Sequence, residues 1–169
     1  MIDELQPQAV IFSDGGPGCR WVGNEKGFAG ATNWSFLRAG EVYPGYPNYR
    51  ELQYGHADGN QWVAAECDVS IRPGWFYHPE EDGRVKTVDE LTDLYYRSVG
   101  HNATLLLNFP VDRDGLIHPT DSANAVNFHK NIQKQLEKNL LAGLSPKASD
   151  ERGKAFSAKA VTDNDYDTY

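Results

Sequence analysis

The clearest pattern in the chain is a two-residue alternation from Trp62 to Ile71. Trp62, Ala64, Glu66, Asp68 and Ser70 fall on one face, and Val63, Ala65, Cys67, Val69 and Ile71 on the other. The second face is apolar; the first carries two carboxylates and is not expected against a plain hydrocarbon core. Two short apolar runs, Ala9 to Ser13 and Thr104 to Asn108, predict further buried strands. The first ends in Asp14-Gly15-Gly16-Pro17-Gly18, and the second in Phe109-Pro110 and the turn-like Asp112-Arg113-Asp114-Gly115. Thr87-Val88-Asp89-Glu90 has the spacing of a capping box, and Val88, Leu91, Tyr95 and Val99 continue it as a helical stripe. A longer amphipathic helix is expected from Asp121 or Ser122, with Ala125, Phe128, Ile132, Leu136 and Leu140 on one side and Gly143 and Pro146 as its stop.

Between Asp14 and Asn60 no periodicity is sustained, and the stretch is rich in Gly, Asn, Pro and Tyr. Structureless segments longer than about 12–15 residues are uncommon in compact domains and often functional. The order is strand, long loop, strand, loop, helix, strand, helix, which predicts an α/β fold of parallel βα units. That order suits the C-terminal portion of a (β/α)8-like barrel. An open α/β sheet is the competitor, although no GxGxxG or P-loop supports a nucleotide-binding version. The expected organisation is a barrel portion over 1–143, a charged linker over 144–154, and the first strand of a β-sandwich module over 155–169, where Ala155 to Val161 alternates. Met1 to Leu5 reads as the last turn of a helix stopped before Pro7, without a basic or apolar leader. Both ends read as cut, so the chain is expected to be a piece of a longer protein.

Composition narrows the partners. The chain has 169 residues and a formal charge of −8, with a pI near 5.0 and mean hydropathy of −0.61. That sign disfavours nucleic acid and anionic lipid, and no stretch approaches the roughly 18 apolar residues of a membrane span. Cys19 and Cys67, without a CxxC, exclude a disulfide scaffold or a cysteine zinc site, and the five histidines show neither HxH nor HExxH. No GxSxG marks a nucleophile elbow.

In α/β barrels the chemistry sits on loops following strand C-termini. The first such loop carries Arg20, able to hold hydroxyls or a carboxylate, Trp21 as a flat wall, and Glu25 as a proton donor whose neighbouring tryptophan favours its neutral form. The plain structural alternative pairs Arg20 with Asp14 or Glu25. The second loop runs Ile71-Arg72-Pro73-Gly74-Trp75-Phe76-Tyr77-His78, whose aromatics suit either a sugar-binding wall or packing beneath a second module. Glu66 and Asp68 are candidates for binding hydroxyls or for pairing with interior cations. Trp34, Phe36, Tyr43, Tyr46, Tyr49 and Tyr54 suit either a cleft for a neutral polymer or the core of a folded-back loop.

The segments Leu5-Gln6-Pro7-Gln8-Ala9-Val10-Ile11-Phe12-Ser13-Asp14, Arg20-Trp21-Val22-Gly23-Asn24-Glu25 and Ser70-Ile71-Arg72-Pro73-Gly74-Trp75-Phe76-Tyr77-His78 resemble α-L-fucosidases of glycoside hydrolase family 29. The likeness is greatest to the branch preferring α-1,3/4-linked fucose. Tyr95-Tyr96-Arg97-Ser98-Val99-Gly100-His101-Asn102 and Leu105-Leu106-Leu107-Asn108-Phe109-Pro110 extend it over nearly the whole chain. The resemblance implies a retaining mechanism on a (β/α)8-like barrel followed by a β-sandwich, with no metal or organic cofactor. It places the general acid/base on Glu25 and the Asp nucleophile in a Trp-(Phe/Leu)-Asp-Gly-like motif upstream of this sequence. Substrate contacts are expected from Arg20, Trp21, Trp75 and Glu66, and Asp14 is expected to organise the glycine loop. The partner implied is a fucosylated oligosaccharide or glycoconjugate, and the location periplasmic or extracellular. Lacking the N-terminal barrel half, the isolated chain is expected to be inactive; the alternative is a non-catalytic, lectin-like glycan binder using the same aromatics.

Overall fold

The computed structural model describes residues 2–163, 165 and 167 and divides into two compact units, 1–131 and 132–169. The first unit is built on a four-stranded parallel sheet. Its strands are β1 (Phe12–Ser13), β2 (Cys19–Trp21), β5 (Ala64–Ser70) and β6 (Ala103–Asn108), in the order β1-β2-β5-β6. Between β2 and β5 the long loop makes an antiparallel ribbon of β3 (Phe36–Leu37) and β4 (Gln61–Trp62) and a 3-10 turn, Tyr49–Gln53. The single alternating run of the sequence is therefore shared between two sheets. Trp62 pairs with Phe36 in the ribbon, and the chain passes through Val63 into β5.

The alternation in β5 does what the pattern requires. Ala65, Cys67 and Val69 are buried on one face, while Glu66 and Asp68 are half-buried on the other. The apolar face meets α2 (Val88–Ser98): Val69, Ile71, Val85, Leu91 and Leu94 form one cluster, with Leu105, Leu107 and Phe128 against it. Helix α2 starts where the capping box places it. The Thr87 hydroxyl accepts from the Glu90 N–H at 3.3 Å, and the Thr87 N–H donates to Glu90 Oε2 at 2.8 Å. A second cluster (Leu37, Val42, Leu52, Val63) gives the long loop a core of its own.

Helix α3 (Pro119–Leu136) begins earlier than Asp121, with proline at its first position and the His118 carbonyl accepting from the Ser122 N–H and hydroxyl. It ends at Leu136 rather than near Gly143. The Asn139 side chain accepts from the Leu141 N–H at 2.9 Å, a local bond that competes with helical ones. Its first turn is tied down by a buried ion pair. Arg72 Nε and Nη2 donate to Asp121 Oδ2 and Oδ1 at 2.8 and 2.9 Å, with both side chains fully inaccessible.

In the second unit, the alternating segment that suggested a sandwich strand forms 3-10 turns at Lys154–Phe156 and Ala158–Thr162. No strand lies alongside it among the described residues, and an alternating segment needs a partner to hold a strand conformation. The end of the expected sandwich strand region, at residues 164, 166, 168 and 169, lies outside the described residues, as does Met1 of the N-terminal turn. The rest of that turn is helix α1 (Ile2–Leu5), stopped before Pro7. Asp121→Ala is expected to lower stability by roughly 3 kcal/mol, because buried Arg72 loses its two bonds to Asp121 and keeps only the partly exposed Asp82 at 2.9 Å as a carboxylate partner; urea titration of the chain measures this.

Candidate active site

The loops leaving β2 and β5 converge through two crossed tryptophan–carboxylate hydrogen bonds. Trp21, on β2, donates its indole N–H to Asp68 Oδ1 on β5 at 2.7 Å. Trp75, on the loop after β5, donates to Glu25 Oε2 on the loop after β2 at 2.9 Å. The register Trp21↔Glu66 sets Trp21 beside the acidic face, so Cys19, Trp21, Glu66 and Asp68 share one side of the sheet. Glu25 itself is exposed and lines a cavity of ≈ 600 Å³ whose wall includes Trp21, Phe28, Tyr49, Arg50 and Gln53.

Local backbone chemistry shapes this cavity. Gly23 has φ +75°, and a Cβ there would collide with the Tyr49 carbonyl oxygen, so glycine lets the β2 loop pass directly beneath the 3-10 turn. Tyr49 stacks on Trp21 with ring centroids 6.4 Å apart. Asn24 closes the next turn, donating to the Phe28 carbonyl and accepting from the Lys26 N–H, each at 3.0 Å.

The acidic side of the sheet is held against its charge. Burial pushes the Asp68 carboxyl up from the usual range; the Trp21 N–H opposes this and the Glu25 charge adds to it. Glu66 is also raised, first by burial and then by Asp68, and is partly relieved by the Cys19 thiol donating at 3.8 Å. Cys67, on the buried face, is pushed up to about 12 by burial. Among the described residues, no cluster of His, Cys, Asp or Glu has the geometry of a metal site.

Trp21 and Glu25 come together at the cavity, with Trp75 bonded to Glu25, while Glu66 lies beside Asp68 on the sheet. Arg20 is placed elsewhere. It points to the buried side of β2, 0% exposed, and donates to the Leu52 carbonyl at 3.2 Å, the Val63 carbonyl at 2.8 Å and Asn33 Oδ1 at 2.5 Å. Each of its three nitrogens donates into the long loop and the side chain is fully covered, so Arg20 presents no surface to the cavity and is bonded to neither Asp14 nor Glu25. Burial lowers its pKa to about 10, which leaves it charged at neutral pH. Asp14 instead accepts from the Gly45 N–H at 2.7 Å. Of the aromatic row, Tyr77 lies under the Arg72 guanidinium at 4.6 Å, and Phe76 to His78 line a separate cavity of ≈ 630 Å³ with Val111 to Asp114. Arg50 and Gln53 carried no signal in the sequence, since they reach the cavity only through the turn that presents them.

Comparison with known proteins meets this geometry. No family model matches the chain. The Arabidopsis thaliana protein α-L-fucosidase 1 is 41% identical over 177 aligned residues, covering 100% of this chain and 34% of the relative. A Bacteroides thetaiotaomicron crystal structure provisionally assigned as an α-L-fucosidase superposes with a TM-score of 0.91 at 45% identity, covering 99% of this chain and 38% of that one. This chain is a relative of the α-L-fucosidases of glycoside hydrolase family 29. The Ruminococcus gnavus family 29 fucosidase E1_10125, solved in complex with fucose, matches with a TM-score of 0.73 at 32% identity, covering 89% of this chain and 31% of that one. The chain thus spans about a third of the length of the fucosidases it matches.

The raised carboxyls of this fucosidase relative carry a testable sign. In the window between the unfolded and folded values the folded chain binds more protons, so stability falls as pH rises through that window and returns as pH is lowered. Glu66→Gln removes one such group. Thermal melts are expected to show the variant more stable than the parent at about pH 7, by less than about 1 kcal/mol after solvent screening, with the gain vanishing near about pH 4.

Proposed function

We propose that this chain is the C-terminal part of the catalytic barrel of a retaining α-L-fucosidase and carries its general acid/base, Glu25. The observation that supports it is the setting of Glu25: an exposed carboxyl on the loop after a sheet strand, lining a cavity walled by Trp21 and Tyr49. Trp21 and Trp75 offer apolar surfaces beside that carboxyl for the deoxy-hexose, and Glu66 sits deeper on the same sheet face.

Retention needs two carboxyl groups about 5–5.5 Å apart. In the first step a carboxylate attacks the anomeric carbon while Glu25 gives its proton to the departing glycosidic oxygen, and the C–O bond breaks. In the second, the Glu25 carboxylate takes a proton from water as that water attacks the same carbon, breaking the ester bond formed in the first step, so that the nucleophile's carboxylate leaves and fucose is released. The nucleophile is an Asp from the barrel half outside these 169 residues, so the chain alone is inactive. Its substrate is a fucosylated oligosaccharide or glycoconjugate.

In the complete protein, Glu25→Ala is expected to lower turnover of natural fucosylated glycans by on the order of 10²–10⁴-fold, while fucosides with activated aryl leaving groups keep their first step, which needs no proton. Equal loss on both would overturn the acid/base role. The 169-residue chain by itself is expected to leave an aryl fucoside unhydrolysed; turnover by it at the rate of the complete enzyme would overturn the missing-nucleophile reading. Tight fucose binding by the complete protein without hydrolysis would favour a lectin-like protein instead.

A further inference from the structure

We propose that Trp75, anchored by Asn108, is a positioning residue that fixes which oxygen of Glu25 carries the transferable proton. The inference rests on the acid/base reading of Glu25 and adds the device that aims it. An indole has one N–H and no acceptor, so the 2.9 Å bond to Glu25 Oε2 can only be donated. An oxygen already accepting that hydrogen is the poorer place for a second one. The proton of the neutral acid is therefore held on Oε1, and the carboxyl plane cannot turn over without losing the bond.

The tryptophan is itself held in place. Asn108, the last residue of β6, donates through Nδ2 to the Trp75 carbonyl and to Ser70 Oγ, both at 3.1 Å. Ser70 is the last residue of β5, and its hydroxyl also accepts from the Arg72 N–H at 3.3 Å. The ends of two adjacent strands thus fix the loop backbone at Trp75, and the indole carries that constraint across to the β2 loop. Among the described residues Glu25 has no other side-chain bond: its segment is closed by Asn24, whose contacts are with its own turn.

The test compares variants of the complete protein on a natural fucosylated glycan and on an aryl fucoside with an activated leaving group. Trp75→Phe keeps an aromatic wall and removes the N–H. Its kcat/KM is expected to fall on both substrates where the ring touches the sugar, and on the order of 10–100-fold further on the glycan than on the aryl fucoside. Asn108→Ala is expected to show the same asymmetry at smaller amplitude, and Trp75→Phe is expected to add nothing to Glu25→Ala on the glycan. Equal losses on both substrates, or full additivity in the double variant, would overturn the proposal and leave Trp75 as a wall contact. If Glu25→Ala discriminates between the substrates and Trp75→Phe does not, this proposal alone fails. If Glu25→Ala loses both equally, the acid/base reading fails and takes this one with it.

Discussion

A buried guanidinium without a carboxylate partner organises the first unit. Arg20 lies on the covered side of a three-residue strand and directs its donors to Leu52, Val63 and Asn33, which belong to three different parts of the long loop. Burying a charge costs several kcal/mol unless its hydrogen-bonding groups are met. Here the partners are two carbonyls and a side-chain amide, so the loop can leave the sheet only by abandoning a charge in its interior. Asn33 extends the clamp, donating to the His101 and Asn102 carbonyls at 2.9 Å, while Asn102 donates back to the Asn33 carbonyl at 3.0 Å. The 3-10 turn that forms the far wall of the Glu25 cavity ends next to Leu52 and is held by the same group.

The two faces of the sheet divide the work. One face closes over α2 with aliphatic side chains, and the buried polar groups nearby, Arg20 and the Arg72–Asp121 pair, are hydrogen-bonded. The other face keeps Glu66 and Asp68 at close quarters, where burial favours both neutral forms, with the Asp68 charge adding to it at Glu66 and the Glu25 charge at Asp68. Such a face is unfavourable for folding at neutral pH. Its energetic deficit is tolerated because indole and thiol donors meet the carboxyl oxygens, and because the aliphatic face carries the packing.

What could be read from the sequence follows from how local each signal is. The capping box at Thr87 and Glu90 involves neighbours in the chain, and the alternation of β5 is a property of consecutive residues; both appear in the structure where the pattern puts them. Strand β2 was not legible. Cys19-Arg20-Trp21 is three residues long, has no apolar run, and becomes a strand only because β1 and β5 flank it. For the same reason Arg20 read as a site residue: a charged side chain beside a tryptophan looks available until the fold shows three acceptors, the nearest of them 13 positions away, around it. The exposed, cavity-lining position of Glu25 is expected from the rule that strand-end loops in α/β folds carry exposed polar groups. The 3-10 turn opposite it, with Arg50 and Gln53, has no periodic signature at all.

On the proposed reading, the settings of Asp68, Glu66 and Asp14 suit none of them to the part of nucleophile. A nucleophile must be ionised while the acid/base is protonated, so their environments have to push the two in opposite directions. Asp68 is the carboxylate that feels Glu25, but burial moves it toward the neutral form and its Oδ1 is taken by the Trp21 indole. Glu66 is raised as well and faces Asp68 and the Cys19 thiol. Asp14 is occupied by the Gly45 N–H in the loop beyond β1. Asp68 and Glu66 are thus shifted toward neutrality, and Asp14 holds a loop. Glu25, exposed at the cavity and bonded to the Trp75 indole, is the carboxyl that this arrangement presents to a bound sugar on that reading.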